Sequence, residues 1–345
     1  MQTLFSNRFL RNVVRGISTL FSGLTTAVAV CAAMVLAAVS TSAAAAFPDR
    51  PITIIVPYPV GGATDLLARE VGRRMAVTLK QSVVIENRSG GTQMVAMAAA
   101  LRAPRDGHTV VLGAVADAAI FAAGSKTPPP HDFQEDFAPV ANLATSPHIM
   151  VVPASLPVRN VAEMVALIKK EPGKHNYASV GIGSMSHLEG ELFEQLAGVR
   201  TTHLPYRGGA QALVDLIAGN SSLMFLSAPN AMPHVRSGKL RIRAVVAPRR
   251  ISLLPDVPTF AEAGYQGFTA NNRFGFFVAK GTPADVIDTL SRSVQVALED
   301  KELRTKLDGQ GVDGEYADPA TFGRLVRTDF EYLGGIAKRS KITID

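Results

Sequence analysis

The feature that most constrains the fold of this sequence is a strand, a glycine turn and a helix joined within residues 52–79. Residues 52–56 form an apolar run, which is typical of a buried strand in a parallel sheet. Gly61 and Gly62 follow, and apolar residues then recur at four-residue spacing from Leu67 onward, which predicts a helix. Such a turn lies at the carboxyl end of a strand, where open α/β sheets bind ligands.

Two interpretations of this turn fit its spacing. Two glycines let a ligand approach the backbone closely, and the free N–H groups of the first helical turn would face an anion. A turn with an Asp or Thr helix cap and no ligand explains the same spacing.

The first 46 residues have the composition of an export signal. Three arginines are followed by an apolar run over residues 24–39 and by an alanine-rich end at Ala46, so we expect cleavage after Ala46. An uncleaved membrane anchor is the alternative, because the run approaches spanning length. The one cysteine, Cys31, lies in this segment, so we expect no disulfide in the mature chain.

Cleavage would leave 299 residues (345 minus 46), which is enough for two domains. The net charge would fall from +6 to +3, because the segment holds three arginines and no acid. Basic residues are not interleaved with aromatic ones, so nucleic acid is not an expected partner. We expect a soluble, exported protein.

Strands and helices alternate along the rest of the chain, which predicts parallel strands joined by helices. We expect one lobe from residues 47–145 and 271–345, and a second from residues 146–270. Two α/β lobes joined by two crossings would form a hinged cleft. Residues 114–126 are expected to form a loop, with Asp117 as a solvated acid rather than the partner of a ligand ammonium group.

A second glycine loop, residues 181–187, has the same order of features as the first. A strand ends, glycines turn the chain, and serines stand where a helix begins. A serine at the helix N-cap with free N–H groups nearby is another potential anion site. Two such loops facing each other across a cleft favour a ligand site over two plain turns.

Catalytic signatures are weak in this sequence. Ser186, Asp215 and His234 follow the order of α/β-hydrolases, but Gly-x-Ser-x-Gly is missing. The histidines lack the paired spacing of zinc sites, and no phosphate-binding loop motif occurs. We therefore expect neither an enzyme nor a cofactor, and we expect His187 to be a structural donor or cap.

Motifs along the whole mature chain resemble one family. They read IIVPYPVGGATD from residue 54, VIENR from 84, DGHT from 106, DFAPV from 136, NYAS from 176, SHLEGELF from 186, HLPYRG from 203 and LPDVPT from 254. The chain is similar to receptors of the tripartite tricarboxylate transporter family, also called the Bug family of periplasmic solute-binding proteins.

The resemblance implies a two-lobed Venus-flytrap fold that binds a small carboxylate through two glycine-containing loops. We expect the protein to be a monomer. The resemblance also implies delivery to the two permease subunits of an ion-driven membrane transporter. The ligand-binding residues that it implies are Tyr58, Gly61, Gly62, Thr64, Asp65, Gly183, Ser184, Ser186 and His187. Because Asp65 is itself negative, we expect it to cap the helix or position the loop rather than face an anion directly.

Two departures from the family pattern leave the ligand's identity open. Phe-Asp-Asn, common in similar receptors, is replaced by Leu-Ser-Ala at residues 226–228, and residues 118–123 lack the usual Asn-Pro pair. A receptor of the same fold that presents its ligand to a sensor kinase is the alternative function.

Overall fold

The first part of the fold places the first glycine loop at the end of a parallel sheet. The computed structural model describes residues 47–251, 253–268 and 271–344, so the predicted export signal and Cys31 lie outside the described residues. Strand β1 (Ile52–Val56) pairs in parallel with β2 (Val83–Asn87) and β3 (Thr109–Ala114). Helices α1 (Ala63–Leu79) and α2 (Met94–Arg102) connect them, which confirms the predicted β-α-β-α-β order.

Residues 114–126 form a helix rather than the predicted loop. Helix α3 (Val115–Gly124) begins directly after β3, and seven of its ten residues are buried. Its alanine-rich sequence favours a helix, but burial on nearly all sides removes the polar face that would have shown helical periodicity. The prediction of a solvated Asp117 is also wrong, because this residue is only 3% exposed.

One long strand, β4 (Phe137–Pro153), runs through both parts of the sheet. Its first part, as far as Pro147, pairs antiparallel with β9 (Asn271–Ala279). From His148 onward it pairs with β7 (Leu223–Ser227) and β8 (Leu240–Val246). Residues 137–147 and 148–153 are thus two parts of one strand, and the predicted lobe boundaries stay a prediction.

The second part of the sheet is built from strands and helices between residues 161 and 246. Its elements are α4 (Val161–Lys170), β5 (Asn176–Ser179), α5 (Met185–Ala197), β6 (Thr202–Pro205), α6 (Gly209–Ala218) and α7 (Ala228–Arg236). Strand β5 pairs in parallel with β6 and β7. The sequence did not predict α7, because Pro233 lies inside it and proline disfavours helix interiors.

The chain ends with three helices and a strand that return to the first part of the sheet. They are α8 (Ala284–Glu299), α9 (Lys301–Asp308), β10 (Asp313–Ala317) and α10 (Pro319–Arg339). Strand β10 pairs with β4. Beyond α10, the Ile344 N–H donates to the Gly124 carbonyl at 2.9 Å, and Ile344 packs in the same core as Met185 and Leu188 of α5.

The order of the paired strands is β2-β1-β3-β9-β4-β7-β5-β6, with β8 and β10 also paired to β4. Buried aliphatic side chains from both sheet faces and the covering helices form the core. Within the described residues, no helix is both long enough and apolar enough to span a bilayer.

Candidate functional site

The first loop, residues 57–64, leads into a helix that begins without a side-chain cap. Gly62 occupies the N-cap position of α1, so the predicted Asp or Thr cap is wrong. The first N–H with an acceptor at this helix end is that of Leu66, which donates to the Gly62 carbonyl at 3.0 Å. Among the described residues, the N–H groups of Gly62, Thr64 and Asp65 have no acceptor. These N–H groups can therefore bind an anion.

Asp65 holds the first loop in place. Its carboxylate accepts hydrogen bonds from the Gly61 N–H at 3.0 Å, from Arg69 Nε at 3.0 Å and from Asn87 Nδ2 at 2.9 Å. Asn87 Nδ2 also donates to the Tyr58 carbonyl at 3.0 Å. Burial opposes ionisation of Asp65, but the hydrogen bonds from Arg69, Gly61 and Asn87 hold its pKa below the usual range. Asp65 therefore positions the loop through its side chain, as the sequence suggested.

The two glycines of the first loop have different structural requirements. Gly61 has φ of +88°, which a residue with a side chain adopts only with strain. Gly62 has φ of −78°, and a Cβ there would lie 3.7 Å from the Pro59 carbonyl oxygen, an ordinary contact. The fold therefore requires glycine at position 61 but not at position 62.

Thr64 supplies a hydroxyl next to the free N–H groups. The residue is 7% exposed, and its hydroxyl has no hydrogen-bond partner within the part of the chain that the structure describes. The hydroxyl oxygen is not fully enclosed by the protein, so a ligand can reach it. A carboxylate at the start of α1 would give this hydroxyl an acceptor.

The serines of the second loop, residues 180–187, form hydrogen bonds within the loop itself. Ser184 is the N-cap of α5; its Oγ accepts from the His187 N–H and donates to the Gly181 carbonyl at 2.6 Å. Ser186 Oγ accepts from the Val180 N–H at 3.0 Å and lies 3.0 Å from Ser184 Oγ. The N-cap prediction for this loop is correct, but these hydroxyls already have partners.

His187 has the contacts of a structural residue. Its Nδ1 accepts from the Gly183 N–H at 3.2 Å, and its ring stacks on that of His203 with the centroids 4.2 Å apart. Burial lowers the pKa of His187 to about 4, so its ring is neutral at pH 7.

Gly183 has φ of +78°, and a Cβ there would come within 2.3 Å of Ile344 Cδ1.

Asp117 joins the two loops. One carboxylate oxygen accepts from the Tyr58 hydroxyl of the first loop, and the other accepts from the Met185 N–H, 2.8 Å away at the start of α5. The segment between β2 and α2 also contacts the second loop, where Thr92 Oγ1 donates to the Ile182 carbonyl at 3.4 Å. Asp117 is the one charged residue of α3, and that isolated charge was the available sequence signal for its role.

A buried histidine and a buried glutamate, which the sequence did not predict as a pair, lie close to Asp117. His148 Nδ1 and Glu189 Oε2 are 2.7 Å apart, and both residues are buried. Burial raises the pKa of Glu189, although the interaction with His148 opposes this. The other Glu189 oxygen, Oε1, has no partner among the described residues.

The residues of the hydrolase alternative have other partners. Ser186 Oγ bonds to Val180 and Ser184, whereas Asp215 accepts from the Tyr206 hydroxyl at 2.7 Å. The described residues contain no group of three side chains arranged to hold a metal ion. Ser186, Asp215 and His234 thus have no hydrogen bonds to one another among the described residues.

The mixed α/β sheet and its helices have the fold of periplasmic binding proteins, as their similarity to solved structures shows. A solved periplasmic transporter is 34% identical and superposes with a TM-score of 0.83, covering 87% of this chain and all of that one. Rpa4515 of R. palustris, solved with adipate, is 32% identical with a TM-score of 0.82, covering 86% of this chain and 99% of Rpa4515.

Sequence comparison then identifies the family. Residues 67–341 match the tripartite tricarboxylate transporter family receptor, and the chain belongs to this family. BugT of Bordetella pertussis is 32% identical over 296 residues, which cover 85% of this chain and 90% of BugT. The match begins three residues after Thr64, so the first loop precedes it.

Proposed function

We propose that this protein is an exported receptor that binds a small carboxylate and delivers it to membrane permease subunits. The family supports this function, as does the adipate-bound relative. Of the site's features, the start of α1 supports it most directly: free N–H groups there lie beside the Thr64 hydroxyl, which has no hydrogen-bond partner among the described residues.

In this proposal the first loop provides the principal contacts to the ligand. The N–H groups of Gly62 and Thr64 and the Thr64 hydroxyl donate to one carboxylate, and the positive end of the α1 dipole stabilises its charge. Gly61 gives the loop its turn, Asp65 holds it, and the Tyr58 hydroxyl links it to Asp117. The second loop, with Gly183, Ser184, Ser186 and His187, forms the opposite wall, and its internal hydrogen bonds fix its shape.

The remaining parts of the proposal concern processing and motion. Residues 1–46 act as a cleaved export signal. The mature chain is a periplasmic monomer that has no cofactor, and it acts as a receptor and not as an enzyme. The lobes of residues 47–145 with 271–345, and of residues 146–270, close on the ligand as a hinge.

A thermal-shift screen tests the carboxylate ligand. A ligand that binds the native state stabilises it by RT ln(1 + [L]/Kd), about 2.7 kcal/mol at a hundredfold excess over Kd. We expect an upward shift of the melting temperature with at least one compound in a panel of mono-, di- and tricarboxylates, amino acids and aromatic acids. Shifts with sugars or purely cationic compounds alone would refute the carboxylate ligand.

A further inference from the structure

We propose that Asp117 determines ligand specificity: it occupies the anion position at the start of α5, so the site selects carboxylates whose other end is neutral or cationic. This inference rests on the proposed function, because it assumes that one carboxylate of the ligand binds at the start of α1. It adds the chemical class of the ligand's other end.

The starts of α1 and α5 differ in how many of their N–H groups are free. At α1, the N–H groups of Gly62, Thr64 and Asp65 have no acceptor among the described residues. At α5, the first N–H, that of Met185, donates to Asp117 Oδ1 at 2.8 Å. The positive end of a helix dipole is thus available at α1, whereas at α5 a carboxylate of the protein already occupies it.

The second loop has few other donors for a ligand carboxylate. The Val180 N–H donates to Ser186 Oγ, the Gly183 N–H to His187 Nδ1, and the His187 N–H to Ser184. Within the described chain, only the N–H groups of Ile182 and Ser186 lack an acceptor between residues 180 and 188. A second ligand carboxylate would find two separate N–H groups there instead of a cluster of donors.

Charge at this end of the site disfavours a second ligand carboxylate as well. Asp117 and Glu189 are both buried and interact with each other, and His148 is the one buried basic group that interacts with both. Burial raises the pKa of Asp117, whereas the hydrogen bonds from Tyr58 and Met185 and the nearby His148 oppose this. Both Asp117 oxygens accept hydrogen bonds, from the Tyr58 hydroxyl and from the Met185 N–H, and a carboxyl group that only accepts hydrogen bonds is ionised. Because two carboxylates face one imidazole, an anionic ligand group is repelled, whereas a hydroxyl, amide or ammonium group is tolerated.

Two sets of ligands of matched length test the selectivity. The first is butanoate, 4-aminobutanoate and succinate, and the second is hexanoate, 6-aminohexanoate and adipate. Within each set the end opposite the carboxylate is a methyl, an ammonium or a second carboxylate group. Calorimetric titration of the wild type should give a Kd for at least one monocarboxylate that is at least tenfold lower than for the dicarboxylate of its set, about 1.4 kcal/mol.

Two variants separate the effect of Asp117 from a general effect of charge. Asp117→Asn removes the charge; its amide oxygen can still accept from the Met185 N–H, and its NH2 group donates to the Tyr58 oxygen instead of accepting from the Tyr58 hydroxyl. This variant should reduce the ratio of the dicarboxylate Kd to the monocarboxylate Kd at least tenfold. Asp215→Asn is the control: Asp215 also accepts from a tyrosine hydroxyl, that of Tyr206, and within the described chain it has no hydrogen bond to the start of α5. This control should leave the ratio unchanged. Melting temperatures confirm that both variants fold.

Each outcome has a distinct meaning. If the wild type binds dicarboxylates as tightly as the matched monocarboxylates, the inference is wrong even if Asp117→Asn does not fold. If Asp117→Asn folds and keeps the wild-type ratio, Asp117 is not the determinant. If no carboxylate in the wider thermal-shift panel binds the wild type, the proposed function fails and the inference fails with it.

Discussion

Replacing Thr64 by valine should weaken ligand binding without lowering the stability of the ligand-free protein. Valine keeps the shape of threonine and removes the hydroxyl. Because this hydroxyl has no partner among the described residues, the substitution breaks no hydrogen bond of the free protein. In the complex it leaves a ligand carboxylate oxygen short of one donor.

The size of the effect follows from the charge on the acceptor. A hydrogen bond to a charged group contributes roughly 1.5–3 kcal/mol, which corresponds to a Kd about tenfold to a hundredfold higher. The melting temperature without ligand should stay within about 1 °C of the wild type, since substitutions that break no such contact usually change stability by about 0.5 kcal/mol or less.

Thr282→Val is the matched control. Thr282 is 8% exposed, against 7% for Thr64, but its hydroxyl donates to the Ala279 carbonyl at 2.8 Å. This variant should lose about 1 kcal/mol of stability, or about 2 °C in melting temperature, and keep its affinity. Calorimetry and thermal melts on both variants test the reasoning. If Thr64→Val binds as tightly as the wild type and melts lower, the first loop is only a helix start.

Three further predictions follow from the two loops. Gly62→Ala should leave the melting temperature unchanged, because the added Cβ meets only an ordinary contact. It should weaken carboxylate binding at least tenfold in calorimetry, and an unchanged affinity would place the ligand elsewhere. Gly183→Ala should lower the melting temperature by several degrees, because it combines φ of +78° with a clash against Ile344; an unchanged melt would refute that packing. Burial lowers the pKa of both His187 and His203 to about 4, whereas the pKa of histidine in the unfolded chain is about 6.5. Between these two pH values protons bind the unfolded chain more strongly than the folded protein, so the free energy of unfolding should decrease as pH falls from about 6.5 to about 4. Melts at successive pH values should show this decrease and show less of it when both histidines are replaced by glutamine.

The sequence predicted those parts of the fold that depend on local periodicity. The first strand, turn and helix, and the parallel pairing of β1 with its neighbours, follow from apolar spacing over short stretches. Helix α3 was missed because burial on nearly all sides leaves it no polar face, and α7 was missed because of its internal proline. In both cases packing decides the structure, and a single-sequence pattern does not record packing.

The two loops show how far the same reasoning reaches at the site. Their sequences share glycines and hydroxyls, and this predicted two similar anion sites. The structure distinguishes them because Asp117 reaches Met185, 68 positions further along the chain, and because Ser184 and Ser186 bond within their own loop. Contacts between distant residues decide which loop keeps free donors, and spacing along the sequence does not show such contacts.

The central claim is that a ligand carboxylate binds at the start of α1, and amide chemical shifts test it most directly. A two-dimensional ¹H–¹⁵N spectrum of the mature protein is titrated with the carboxylate that gives the largest thermal shift. We expect the amide signals of Gly62, Thr64 and Asp65 to move most and that of Met185, whose N–H donates to Asp117, to move little. Large shifts at Ile182 and Ser186, with the signals of the first loop unchanged, would contradict this claim.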